Sequence, residues 1–192
     1  MELKKTLSKI LKDGTDLNSS GTTGPQKTIF QTPQKLYYAN RTAVDSQQLT
    51  PKSKIYTVCK MAHAGGLLAQ TLPAHSIGAD VTVVDFNAYE FNKEITKYTH
   101  THLTPTHGHI LALTKGFKHI DLTNIHVTCG SDPVHWDMIE SFVSKGATFT
   151  TNWGMTEVGP CAINTTFTSL EQIEDYKSRS IDGATLLGDR TY

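Results

Sequence analysis

Apolar positions along the chain follow two alternating periods. Short β-branched runs bounded by turn residues predict strands at "KIYTVC" (54–59), "DVTVVD" (80–85), "NIHVTC" (124–129) and "ATFTTN" (147–152), with "THLT" (101–104) as a weaker fifth. Between them, 33–48, about 65–77, 87–98, 105–115 and 132–145 carry helical spacing. In "DPVHWDMIESFVSKG", Asp132 is placed to cap a helix, Pro133 to take its first position and Gly146 to end it. Val134, Met138, Phe142 and Val143 then face inward, and Trp136 and Ile139 broaden the stripe. The opening "MELKKTLSKILKDG" places Leu3, Leu7, Ile10 and Leu11 on one face of a short amphipathic helix.

Strands that alternate with helices of this length imply an α/β fold, a mostly parallel sheet flanked by helices. Right-handed crossovers then bring the C-terminal ends of the strands to one edge, where such sheets bind ligands. There is no internal repeat, and the tail from about Ser169 is less periodic.

Composition narrows the class. At 192 residues the chain suffices for one domain, or for a piece of a larger one. Its 18 basic and 18 acidic side chains cancel, which disfavours a nucleic-acid partner held by bulk charge. No run approaches the roughly 18 apolar residues of a membrane span, and the N-terminus lacks the apolar core of an export signal. Cys59, Cys129 and Cys161 are widely spaced without a CxxC pair, so neither a disulfide framework nor a cysteine zinc site is expected, and a reducing cytoplasm fits. Cys129 and Cys161 lack an evident base partner and read as packing residues. The pairs His100/His102 and His107/His109 are each two residues apart. Pro105 should start a helix, on which i and i+2 diverge, and no carboxylate cluster completes a metal site there.

The stretch "NSSGTTGPQK" (18–27) has no apolar residue. Glycine-rich turns expose backbone N–H groups that converge on anions. The hydroxyls of Ser19, Ser20, Thr22 and Thr23 add donors and Lys27 adds charge, a set suited to polyphosphate. It is not a Walker loop, because Gln26 stands where that loop has its lysine. On physics alone, a solvated Ser/Thr/Gly turn stays open.

This stretch resembles the phosphate-binding loop of the adenylate-forming superfamily, which includes acyl-CoA synthetases, luciferases and peptide-synthetase adenylation domains; only the order of Pro25 and Gln26 is exchanged. "MAHAGGLLAQTLPAHSIGADVTVVDFNAYEFNKEITKYTHTHLTPT" resembles that family's His-x-x-Gly element, long helix, Gly-Ala/Asp-x-Val strand and Thr-His-x-x-x-x-Pro-Thr step. "TCGSDP" and "TNWGMTEVGP" resemble its adenine-contacting turn and its Tyr-Gly-x-Thr-Glu signature. The motifs lie in the family's order over about residues 17–160.

The resemblance implies that Ser19, Ser20, Gly21, Thr22, Thr23, Gly24 and Lys27 wrap the β- and γ-phosphates of ATP, and that Thr156 bonds the α-phosphate. It implies an adenine site from Gly130, Ser131, Asp132, Asn152, Trp153, Gly154 and Met155, with Asp132 where alanine is usual and Trp153 where tyrosine is commoner. Glu157 would hold Mg2+, and His63 would lie on the substrate side. Each has a plainer reading: Trp153 as core, Glu157 as a solvated loop carboxylate, His63 as a structural histidine.

The implied reaction is activation of a carboxylic acid as its acyl-adenylate with release of pyrophosphate, with CoA or another thiol as a possible acceptor. The implied extent is a single truncated AMP-binding core over 1–192, without the family's C-terminal lid and its lysine. Asp189 in "LLGDRTY" follows Glu157 too closely to fit the family's ribose-binding aspartate well. Self-association, or a partner chain that supplies the lid, is an expectation of the same reading. The alternative is a non-catalytic nucleotide-binding or assembly protein, or one half of a split enzyme.

Overall fold

The computed structural model describes residues 2–19 and 27–179. Helix α1 (Glu2–Asp13) is followed by strands β1 (Thr15–Asn18) and β2 (Thr28–Gln31), which pair as an antiparallel hairpin. Then come α2 (Pro33–Ser46), β3 (Lys54–Thr57), α3 (Ala64–Gly66), a π-helical segment (Leu67–Thr71), α4 (Leu72–Ser76), β4 (Asp80–Val83) and α5 (Ala88–Glu94). The rest is β5 (His100–Leu103), α6 (Pro105–Ala112), α7 (Lys115–Lys118), β6 (His126–Cys129), α8 (Trp136–Val143), β7 (Thr148–Met155), β8 (Gly159–Phe167) and α9 (Leu170–Arg179).

The main sheet has the order β4-β3-β5-β6-β7-β8. Its first five strands are parallel, and β8 closes one edge antiparallel to β7. The α/β reading therefore holds. The strand expected to be weak, β5, lies inside the sheet between β3 and β6 and is buried at all four residues. The β1–β2 hairpin, β8 and α9 have no counterpart among the expected elements.

Two expected helices differ in detail. Helix α8 starts at Trp136, not at Asp132, with His135 as its N-cap. Ser131 takes a positive φ of 83°, and Val134 is fully buried, so residues 130–135 remain a non-helical connection that turns at 131–132 and inserts Val134 into the core. The helix expected over 65–77 is broken into α, π and α pieces. Pro73 has no N–H to give the Ala69 carbonyl, as an α-helix would require. That carbonyl instead accepts from Gln47 Nε2 at 2.6 Å, and Thr71 Oγ1 turns back to the Gly66 carbonyl at 2.7 Å.

The sheet's two faces differ chemically. One presents Tyr56, Leu103, Val127, Cys129, Phe149 and Phe167 to α5–α9, where Phe91, Leu111, Phe117, Ile139, Phe142 and Ile173 complete the main apolar core. The other presents His100, His102, His126, Thr128, Thr150 and Asn152, all under 9% exposed, beneath α2 and the π segment. Register fixes this segregation: His100 faces His126, and His102, Thr128 and Thr150 form one row. Gln47 stitches the polar face to its cover, because Thr128 Oγ1 donates to Gln47 Oε1 (2.8 Å) and His100 Nε2 bonds the Gln47 carbonyl (3.0 Å). A second apolar cluster, Leu7, Leu17, Leu36, Leu67, Leu68 and Leu72, docks α1 and the hairpin onto that cover.

Candidate functional site

The C-terminal ends of the parallel strands carry the motif residues to one edge, as the topology requires. Residues after β3 lead to His63, those after β6 form Gly130–Asp132, and β7 itself runs through Trp153 to Met155 and into the Thr156–Glu157 turn.

The polar loop closes the β1–β2 hairpin. Residues 20–26, and so Ser20, Gly21, Thr22, Thr23 and Gly24, lie outside the described residues, as does Asp189. The two loop ends are described and clasp each other: Ser19 N donates to the Lys27 carbonyl (2.9 Å), and Lys27 N donates to Ser19 Oγ (3.0 Å). At the far end of β2, Gln31, 1% exposed, donates Nε2 to the Thr156 carbonyl at 2.5 Å. The hairpin that holds Lys27 is thus tied to the turn that holds Glu157. Gln31 is the residue that sequence reasoning missed here; its only signal is a polar side chain at the buried end of a strand otherwise exposed or half-buried.

Thr156 is half-buried and Glu157 exposed on the β7–β8 turn. That turn depends on two glycines. A Cβ on Gly154 would lie 2.0 Å from the Gly159 carbonyl oxygen, and Gly159 itself sits at φ 98°. Gly130 is similarly constrained, since a Cβ there would meet both the Asn152 carbonyl and Asn152 Oδ1 at 2.5 Å. Asn152 consequently lies beneath the 130–132 turn, 2% exposed, and donates Nδ2 to the Pro160 carbonyl at 2.7 Å. Ser131 and Asp132 are exposed on top of it, Trp153 and Gly154 are half-buried, and Met155 is exposed.

His63 is exposed and caps α3 through its backbone. Two residues on, a Cβ at Gly65 would touch His102 Cε1 (3.3 Å) and Ser131 Oγ (3.5 Å), so the His63 segment meets the 130–132 turn across His102. His102 is central and was not among the expected site residues. Burial pushes its ring down to about 4, partly offset by Asn152 and reinforced by His107. Cys59 Sγ lies 3.6 Å from His102 Nδ1 and 3.7 Å from His107 Nδ1, and burial raises its thiol to about 12. A neutral thiol beside neutral rings is a packing arrangement, not an activated nucleophile.

Among the described residues, no group of three or more His, Cys, Asp or Glu is placed to hold a metal ion. Glu157 alone would leave a magnesium ion needing most of its oxygen ligands from outside the protein. A groove of about 550 Å³ between α5 and α7, lined by Tyr89, Asn92, Lys93, Lys115, His119 and Ile120 among others, involves none of these residues.

Comparisons with known proteins bear on the fold and the family. The chain is 29% identical over 148 residues to an indoleacetate–CoA ligase of Aromatoleum aromaticum, a match that covers 75% of this chain and 29% of that protein. Its fold is similar to ATP-bound MatB from Rhodopseudomonas palustris, with a TM-score of 0.67, 22% identity, and coverage of 79% of this chain and 30% of that one. It is also similar to the N-terminal domain of FACL13 from Mycobacterium tuberculosis, with a TM-score of 0.70, 18% identity, and coverage of 89% and 43%. The chain therefore spans less than half the length of each. The family model described as AMP-binding enzyme matches residues 18–191. With nearly the whole sequence matched, the chain belongs to the AMP-binding enzyme family.

Proposed function

We propose that the protein binds ATP at the β1–β2 loop and the Thr156–Glu157 turn, and activates a carboxylic acid as its acyl-adenylate. The observation that carries this reading is the Gln31–Thr156 hydrogen bond, which ties the loop-bearing hairpin to the carboxylate-bearing turn. The comparison with acyl-CoA ligases supports the same chemistry.

In this reading the acid's carboxylate oxygen attacks the α-phosphorus in line, and the bond to the bridging oxygen of pyrophosphate breaks. Both reactants are anions, so the barrier is one of charge and alignment. Lys27 and the loop amides neutralise and orient the departing phosphates. Thr156, held by Gln31 through its carbonyl, presents its hydroxyl and N–H to the α-phosphate. Ser131 and Trp153 border the base, with Asn152 shaping the turn from below. Glu157 would hold Mg2+, which would add positive charge against the phosphates.

The relative named for indoleacetate makes arylacetic acids the first substrates to test, with CoA as thiol acceptor. The test is ATP–pyrophosphate exchange over a panel of carboxylic acids. Exchange that depends on one class of acid, and that falls at least tenfold in Glu157→Gln, supports the reading. Binding of ATP without exchange for any acid would assign the chain to nucleotide binding alone.

A further inference from the structure

His102 stands next to last on β5, 3% exposed, in register with Thr57 on one side and Thr128 on the other. Segments far apart in sequence meet at its ring. The loop after β3 brings Cys59 Sγ to 3.6 Å from Nδ1. The start of α3 lies over the ring edge, where a Cβ on Gly65 would meet Cε1 at 3.3 Å and Ser131 Oγ at 3.5 Å. From β7, two strands away, Asn152 reaches the ring with its side chain.

Gly130 makes that reach possible. It follows β6, the strand between them, and Asn152 occupies the place where its side chain would stand. A Cβ there would lie 2.5 Å from Asn152 Oδ1 and 2.8 Å from its Cγ.

The polar atoms can then be assigned. Asn152 Nδ2 is committed to the Pro160 carbonyl at 2.7 Å, so Oδ1 is the atom turned toward β5. An amide oxygen only accepts, so the ring must donate to it. Nδ1 lies on the Cys59 side, which leaves Nε2 as the donor. Burial holds the ring down to about 4, so at neutral pH it is uncharged and carries a single proton. Asn152 opposes that lowering, as an acceptor of the ring proton does. Reversing the amide would set oxygen against the Pro160 carbonyl and an NH2 group against the ring N–H, two mismatched pairs. Ring tautomer and amide orientation therefore fix each other.

We propose that His102 is a positioning residue for the 130–132 turn: its Nε2–H holds Asn152 beneath Gly130, and its ring edge sets the approach of Ser131 to the start of α3. This rests on the reading in which that turn borders the base of ATP. His102 acts there through Asn152, without touching the nucleotide. Freed from the ring, the Asn152 amide can rotate, and the turn loses the floor that holds it against a base. The phosphate end is supported separately, through Gln31 and the β1–β2 hairpin.

The test has two parts. In the wild-type chain, nitrogen-15 imidazole correlation spectra at neutral pH should show His102 uncharged with its proton on Nε2. A proton on Nδ1 overturns the proposal, and this measurement needs no variant to fold. Calorimetry then compares Mg-ATP with Mg-tripolyphosphate, which has no base. In His102→Leu, ATP affinity should fall by about tenfold or more, as loss of one positioning hydrogen bond implies, with tripolyphosphate affinity unchanged. His102→Gln, whose amide can donate to Asn152 Oδ1, should keep ATP affinity within about threefold of wild type. Equal losses for both ligands, or an ATP affinity indifferent to His102→Leu, would overturn the proposal and leave the nucleotide reading standing. A wild-type chain that binds neither ligand would overturn both.

Discussion

Acid should unfold this protein through its buried imidazoles. Burial holds His102 and His126 down to about 4, against an ordinary 6.5; His107 adds to the effect on His102, and His100 to that on His126. Above pH 6.5 both rings are neutral whether the chain is folded or not, so the pair makes no demand. As pH falls below 6.5 the unfolded chain takes up protons that the folded chain refuses, and stability is lost until the folded rings themselves titrate near 4. A tenfold difference in proton affinity between the two states is worth about 1.4 kcal/mol, so each ring removes roughly 3 kcal/mol across the window. Two rings give a slope approaching about 3 kcal/mol per pH unit between 6 and 5, set against a total stability of about 5–15 kcal/mol for an ordinary domain. His100, also lowered by burial, acts in the same direction. The assay is urea unfolding at half-unit pH steps from 7.5 to 5, on the wild type and on His126→Gln, whose amide can keep the bond that His126 Nε2 makes with Thr150 Oγ1 at 2.7 Å. The variant should lose about one proton's worth of slope. A stability flat from pH 6.5 to 5, or the assigned His102 and His126 imidazole signals of the folded chain titrating near 6.5, would refute the reasoning.

Three further outcomes follow from the site. Gly154→Ala drives a methyl against the Gly159 carbonyl across the β7–β8 turn, where backbone cannot yield cheaply, and should cost about 1–3 kcal/mol or more in urea unfolding. Gln31→Leu leaves the Thr156 carbonyl unpaired, which should cost about 1–3 kcal/mol in the same assay and weaken ATP binding by calorimetry at least tenfold. Mg-ATP at a hundredfold its Kd should stabilise the wild-type chain by about 2.7 kcal/mol, seen as several degrees in a melting curve, and Lys27→Ala should reduce that shift; an unchanged wild-type melt would count against a nucleotide role.

The parallel sheet was legible because most of its strands are short β-branched runs, fully buried at β5 and β6, that alternate with helices. Thr104 and Pro105, for instance, start α6 where the sequence places its beginning, with His107 completing a capping box. β8 was not legible. "GPCAINTTF" lacks a clean two-residue alternation because the pairing shifts between Trp153 and Met155, so inward and outward positions exchange along the strand. Helix α9 carries only one fully buried apolar residue, Ile173, too little to announce a stripe. The start of α8 went astray because Asp132-Pro133 is a good capping pair locally, while burial of Val134 decides the matter from a distance. At the candidate site, the 130–132 and 156–157 turns fall at strand ends, where their motifs place them. Gln31 and His102 could not be read from the sequence, since each acts through a partner remote in sequence.

The chemical asymmetry of the central sheet has an evolutionary consequence. Along β5 and β6, successive residues answer to different rules: one position is judged by volume against Leu111 and Phe142, the next by whether it can hydrogen-bond a glutamine, a threonine or an imidazole. A saturation scan should therefore show tolerance alternating residue by residue, with hydroxyl and amide exchanges accepted on one side and aliphatic or aromatic exchanges on the other. Drift on the polar side can retune the strand ends that border the Thr156–Glu157 turn while the oily side keeps the strands in place.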